Sequence, residues 1–195
     1  MQRAQVEALT RRALRRLIVE QWALAGLDVG ERTITSHLFR YMATDRALPA
    51  SLSVDHEYNR RGDQGLAKRI GWPTENLDVD GERRVIPDII IHRRGVDNEN
   101  IAVVEAKRNG RNDEYDVRKV VALVAAPYNY RYGVLIDLGI RPRNKIIAWR
   151  PSWAWFDAAT GRHRYEEVFD SHVVVTDLNS RGREQAVRYS SQPYL

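Results

Sequence analysis

The sequence predicts an α/β (α+β) fold, a mixed central β-sheet flanked by helices, and three observations carry that prediction. Two apolar, β-branched runs, Val85–Ile91 and Ile101–Lys107, flank the turn-like stretch Arg94-Gly95-Val96-Asp97-Asn98-Glu99, a hairpin signature. A helical period over residues 113–126 is followed by a third strand-like run at 131–138. The first 46 residues carry helical spacing of their own. With 195 residues and 43% hydrophobic content the chain can build one compact domain with its own core.

In order along the chain, residues 2–26 read as a long helix, with Val6, Leu9, Ala13, Leu17 and Leu24 at helical spacing and Gly26 and Gly30 as stop signals. Residues 31–46 read as a second helix with Ile34, Leu38, Tyr41 and Met42 on one side. Over 51–59, Leu52, Val54, His56 and Tyr58 alternate with Ser53, Asp55, Glu57 and Asn59, which suits a strand. Residues 60–63 turn, and 71–82, with Gly71, Pro73, Asn76 and Gly81, read as a loop before the hairpin at 84–107. The helix at 113–126 carries a stripe of Val117, Val120, Val121 and Val124. Asp113 and Glu114 stand at its start, where the macrodipole favours acids, and Pro127 ends it. After the strand at 131–138, Gly139 and Pro142 break the chain, and 144–149, 153–157, 162–169 and 172–176 read as short strands, with a turn at 158–161. The polar tail from Asn179 either frays or adds a last strand. The expected organisation is one domain: N-terminal helices over 1–48, a core over 49–138 and a C-terminal antiparallel β extension over 139–195.

Composition narrows the classes of partner. The net charge of +5 is compatible with a polyanion. Without cysteine there is neither a disulfide nor a thiolate metal site, which fits a reducing cytoplasm. Arg3, Arg11, Arg12, Arg15 and Arg16 interrupt the first helix, so it reads as neither a signal peptide nor a membrane span, and no membrane partner is expected. The five histidines lack zinc-ligand spacing, and there is no nucleotide-binding P-loop.

The chemistry is concentrated in the hairpin. Asp88, Glu105 and Lys107 sit inside runs that should be buried, and buried charge is costly unless paired or bound to metal. Symmetric closure about Val96 and Asp97 sets Asp88 opposite Glu105 and Ile86 opposite Lys107. The period of two then puts all three charges on one face. A slip of one residue would move Asp88 to the other face. Two adjacent carboxylates repel unless a cation lies between them, and an oxygen-only pair suits Mg2+ or Mn2+. The backbone carbonyl of Ala106 offers a further oxygen. The bland alternative, an ordinary i, i+2 pair on a solvated strand, fits poorly with Ile, Val and Ala on both faces. Lysine occurs only at 68, 107, 119 and 145 among 31 basic residues, so Lys107 suggests a need for a point charge with a shiftable pKa.

Pro87-Asp88, followed after sixteen residues by Glu105-Ala106-Lys107, resembles the PD-(D/E)XK nuclease superfamily, the restriction-endonuclease-like group, over roughly residues 50–138. Glu57 resembles the extra upstream acid that many members carry. The resemblance implies an αβββαβ core in which Asp88 and Glu105, helped by Glu57, hold one or two Mg2+ ions, with Mn2+ able to substitute. Lys107 would position or activate the attacking water. The implied activity is metal-dependent hydrolysis of phosphodiester bonds, by a DNA endonuclease. The alternatives are a non-catalytic nucleic-acid-binding or interaction module on the same fold, and a nuclease subunit active only within a larger complex. DNA is the expected partner, and a homodimer is compatible with the family.

Four other features bear on nucleic-acid contact. Lys119, on the polar side of the helix after Lys107, is either a phosphate contact or half of a solvated i, i+3 pair with Asp116. Arg60 and Arg61 are candidate nucleic-acid contacts. The basic first helix is either a backbone-binding face or a solvated one. Trp149, Trp153, Trp155 and Phe156 either stack bases or form a core for the C-terminal strands.

Overall fold

The computed structural model describes residues 1–27, 29–61, 65–71, 82–110, 114–143, 146–156, 163–169, 172–176 and 187–190. Three helices come first: α1 (Arg3–Gln21), α2 (Ala23–Gly26) and α3 (Glu31–Ala43). The strands β1 (Ser53–His56), β2 (Arg60–Arg61), β3 (Leu66–Ala67), β4 (Arg69–Gly71), β5 (Glu82–Arg84), β6 (Ile89–His92) and β7 (Asn100–Lys107) follow. Helix α4 (Glu114–Val124) leads to β8 (Tyr132–Asp137), β9 (Ile140–Arg143), β10 (Ile146–Trp149), β11 (Ser152–Phe156), β12 (Tyr165–Glu167), β13 (His172–Thr176) and β14 (Val187–Ser190).

The fold is mixed α+β, built on a six-stranded sheet in the order β1-β6-β7-β8-β11-β12. β1, β6 and β7 are antiparallel neighbours, and β8 lies parallel to β7 after the chain crosses over through α4. The sheet is buried on both faces. Val6, Leu9, Leu14 and Leu17 of α1 and Ile34 and Leu38 of α3 cover the side that carries Ile89, Ile91, Ala102 and Val104. Val120 and Leu123 of α4 cover the other, against Ile90, Val103 and Leu135. Continuous apolar strands are what a doubly covered sheet requires, and each fully buried valine, leucine or isoleucine contributes roughly 1.5–3 kcal/mol of hydrophobic stabilisation. Gly133 lets α4 approach β8, because a Cβ there would lie 2.9 Å from Val124 Cγ2 and closer still to Val120.

Several elements differ from the sequence expectation. The strand expected over 51–59 ends at His56. Glu57 takes a left-handed backbone (φ 52°), and the chain turns back there toward β2. The single helix expected over 2–26 is divided at Trp22. In α4 Val121 is outside, while Asp116 and Lys119 are buried with Val120, Leu123 and Val124, so the buried stripe runs i, i+3, i+4, i+7, i+8 from Asp116. The C-terminal strands divide between two sheets. β11 and β12 extend the main sheet beside β8, while β9, β10, β13 and β14 form a four-stranded sheet in the order β14-β13-β10-β9. Asp113, the turn at 158–161 and most of the loop expected over 71–82 lie outside the described residues. No helix among the described residues is long and apolar enough to cross a membrane.

Candidate metal centre

The hairpin register places the charges. Ile89 pairs with Val104, Ile90 with Val103 and Ile91 with Ala102, the register of symmetric closure, before an irregularity puts His92 against Asn100. Carrying that register past Ile89 sets Asp88 against Glu105 and Pro87 against Ala106. The contacts agree: Asp88 Oδ2 accepts the Ala106 N–H at 2.9 Å, and Glu105 Oε1 accepts the Asp88 N–H at 3.4 Å. Residues Ile90, Val103 and Glu105 share the face covered by α4, so the two carboxylates meet under the first turns of that helix.

Glu105 is only 2% exposed. Its charge is met from α4: Lys119 Nζ lies 2.5 Å from Glu105 Oε2, 3.5 Å from Asp116 Oδ1 and 3.4 Å from the carbonyl oxygen of Ile86, to which it donates. Lys107, the last residue of β7, is clamped between elements on opposite sides of the sheet. Its Nζ lies 3.0 Å from Asp116 Oδ2 and 3.2 Å from Glu31 Oε1 at the start of α3. The other Glu31 oxygen accepts the Arg108 N–H at 2.9 Å, and the Arg108 guanidinium donates to the carbonyls of Val29 and Ala25. A cleft of about 210 Å³ opens beside these groups, lined by Glu105, Lys107, Gly110, Asp116, Val117 and Tyr165, among others.

The electrostatics follow from this crowding. Burial pushes the Glu105 carboxyl well above its usual range, the Asp88 charge pushes it further, and Lys119 only partly opposes both. Burial also raises Asp88, against the Ala106 N–H and Lys119. For Lys107 burial acts downward, but its bonds and attraction to Asp116 and Glu31 prevail and raise it. Lys119 behaves alike: Glu105, with smaller contributions from Asp88 and Asp116, outweighs burial. Lys107 is thus held as a cation. The shift allowed for a lysine at this position occurs, but upward, away from a proton acceptor.

The donor set fits a hard divalent ion in one respect. Two carboxylates converge, and Pro87, which stands opposite Ala106, has no N–H to give the Ala106 carbonyl. Mg2+ is commonly bound by one or two carboxylates with water completing its shell. No third acid joins them: among the described residues no group of three or more His, Cys, Asp or Glu side chains is placed to hold a metal. Glu57 is next to the site by backbone, its N–H bonding the Asp88 carbonyl at 3.0 Å, but its carboxylate accepts a hydrogen bond from Arg32. Asp116 and Glu31, which sequence reasoning did not place in the site, hold Lys107 instead.

The other candidates lie elsewhere or are engaged. Lys119 is buried at the acids, not on a solvated face. Arg60 and Arg61 line a second cleft by the hairpin turn, at the opposite end of β6 from Asp88, with Lys68, His92 and Asp97. Arg60 donates to the Gly65 carbonyl, and Arg61 lies 3.6 Å from Asp97. On α1, Arg3 and Arg11 stack over Trp155 and Trp153, and Arg12 pairs with Asp45, so this helix is tied into the fold. Trp149 and Trp153 are core residues. No family model matches the chain, and no curated protein or solved structure matches it either.

Proposed function

We propose that this protein is a divalent-metal-dependent nuclease that hydrolyses phosphodiester bonds, as a DNA endonuclease of the PD-(D/E)XK kind that its sequence resembles. One observation carries the reading: Asp88 and the fully enclosed Glu105 converge at the open end of the hairpin, with Lys107 two residues further on the same strand. The net charge of +5 supports a polyanionic substrate.

In this reading Asp88, Glu105 and the Ala106 carbonyl would hold Mg2+ or Mn2+, which when bound would supply an acidified water and positive charge for the scissile phosphate. Asp88 is pre-set for this by its bond to the Ala106 amide. Lys107, kept protonated between Asp116 and Glu31, steadies the developing negative charge and orients water by donating a hydrogen bond; it does not take the proton. Glu57 restrains Arg32 at the rim in place of serving as a ligand.

The test is cleavage of circular plasmid, circular single-stranded DNA and RNA in Mg2+ and in Mn2+, with Glu105→Gln alongside. Cutting of a DNA circle that the variant cannot perform is expected. Cutting retained by the variant removes the assignment. A specific feature, the Lys119 ammonium already neutralising Glu105, favours a second reading, a binding module without catalysis. Unchanged DNA binding with no cutting of any substrate would select it.

A further inference from the structure

We propose that Lys119 is a resident counter-ion for the acidic pair, displaced from Glu105 onto Asp116 when a divalent ion enters, so that it sets the affinity of the site for metal. The inference rests on the nuclease reading only in taking Asp88 and Glu105 as the metal-holding pair.

The geometry supplies both ends of the movement. Lys119 Nζ is 2.5 Å from Glu105 and already 3.5 Å from Asp116 Oδ1, while the other Asp116 oxygen is occupied by Lys107. A change in the outer torsions of the lysine exchanges one carboxylate for the other without moving α4. An acceptor is ready for the displaced ammonium, so the displaced charge is not left unpaired in a buried place.

The charge balance points the same way. Four carboxylates meet here (Asp88, Glu105, Asp116 and Glu31) against two ammonium groups, Lys107 and Lys119. The acids thus outnumber the ammonium groups that contact them, and an entering cation meets no excess of ammonium charge. Lys119 competes for the Glu105 oxygens with that ion, and once moved it stays paired with Asp116.

Mn2+ binding to the full chain by titration calorimetry, for the native protein and for Lys119→Met, tests this. Removing the competing ammonium should tighten Mn2+ by about tenfold or more. Equal or weaker binding by a folded Lys119→Met protein overturns the proposal while leaving the metal pair intact. No Mn2+ uptake by either protein overturns the metal reading itself, and this proposal with it. The native protein offers a second measurement should the variant fail to fold. With only four lysines in the chain, 15N-labelled lysine gives resolvable Nζ signals. Mg2+ should move the Lys119 signal and leave that of Lys68, at the far cleft, in place. Mg2+ bound with an unmoved Lys119 signal refutes the displacement.

Discussion

Pro87 stands opposite Ala106 in the continued register of the hairpin, and the ladder between β6 and β7 stops there because proline has no N–H to donate. In an antiparallel hydrogen-bonded pair each residue turns its N–H and C=O to the same neighbour. Pro87 leaves the Ala106 carbonyl without its ladder donor, while the Ala106 N–H is given to Asp88 Oδ2 at 2.9 Å, which fixes the carboxylate beside Glu105. Proline before the acid thus does two things: it ends the ladder and it leaves the Ala106 carbonyl without a backbone donor. Replacing it by alanine restores a donor. Pro87→Ala should fold with stability changed by no more than about 1 kcal/mol, since one hydrogen bond is gained at a partly exposed end. Mn2+ affinity should fall by roughly tenfold, as the Ala106 carbonyl is drawn into the ladder. Calorimetry of Mn2+ binding alongside a thermal melt checks both, and unchanged affinity would mean that the Ala106 carbonyl is not a ligand.

Lys107 is gripped by Asp116 and Glu31, and both raise its pKa, so it stays charged across the neutral and mildly alkaline range. Lys107→Met should reduce kcat by about a hundredfold or more through loss of a positioned cation, with the pH dependence of the residual rate keeping its shape. A pH–rate profile for both proteins decides it. If an alkaline rise present in the native protein vanishes in the variant, Lys107 acts as the base after all.

Much of this arrangement was open to reading from the sequence because it is local. The hairpin register followed from turn symmetry, and the strand faces followed from the period of two, so the Asp88–Glu105 juxtaposition needed no long-range information. The inward side of α4 differs from the valine stripe that the sequence predicts, because charged residues take part in it. Asp116 and Lys119 are buried only because Glu105 and Lys107 come from another element to pair with them. Glu31 meets Lys107 across 76 positions, and a single acid at a helix start carries no sign of such a partner. The choice of β8 as the neighbour of β11 is likewise a tertiary decision: Ser152 to Phe156 alternate as any strand would, and only packing against α1 and the existing sheet edge selects the pairing.

A second buried lysine makes a prediction about pH. Lys68 is 1% exposed, donates to the carbonyls of Tyr58 and Arg60, and lies over the Tyr58 ring, with no carboxylate of the described residues in direct contact. Burial lowers its pKa to about 8, which the more distant Asp97 and Asp55 only partly oppose. The folded value therefore lies below the unfolded one, and between about 8 and 10.5 the unfolded chain binds more protons than the folded one. Stability from this group rises with pH through that window, by an amount on the order of 1–3 kcal/mol. Denaturant unfolding at pH 7.5 and 9.5 should show the rise in the native protein and its absence in Lys68→Met. A native protein that loses stability over this interval contradicts the assignment.

The last prediction joins packing to the site. Gly133 of β8 lies beneath α4, and a methyl group there would overlap Val120 and sit 2.9 Å from Val124, both on short, branched side chains that cannot swing away. Gly133→Ala must displace α4 outward from the sheet, and overpacking of this kind costs typically about 1–3 kcal/mol. The same displacement carries Asp116 and Lys119 with it, because they project from the same face of the helix as Val120. The 2.5 Å contact between Lys119 and Glu105 and the 3.0 Å contact between Asp116 and Lys107 lengthen together. The variant should therefore lose activity beyond what its reduced folded fraction explains, even where melting shows it fully folded at the assay temperature. Lys119 and Lys107 Nζ signals should shift in the same protein without added metal. A destabilised variant with native lysine signals and native kcat would show that α4 adjusts elsewhere and that the site does not depend on the Gly133 contact.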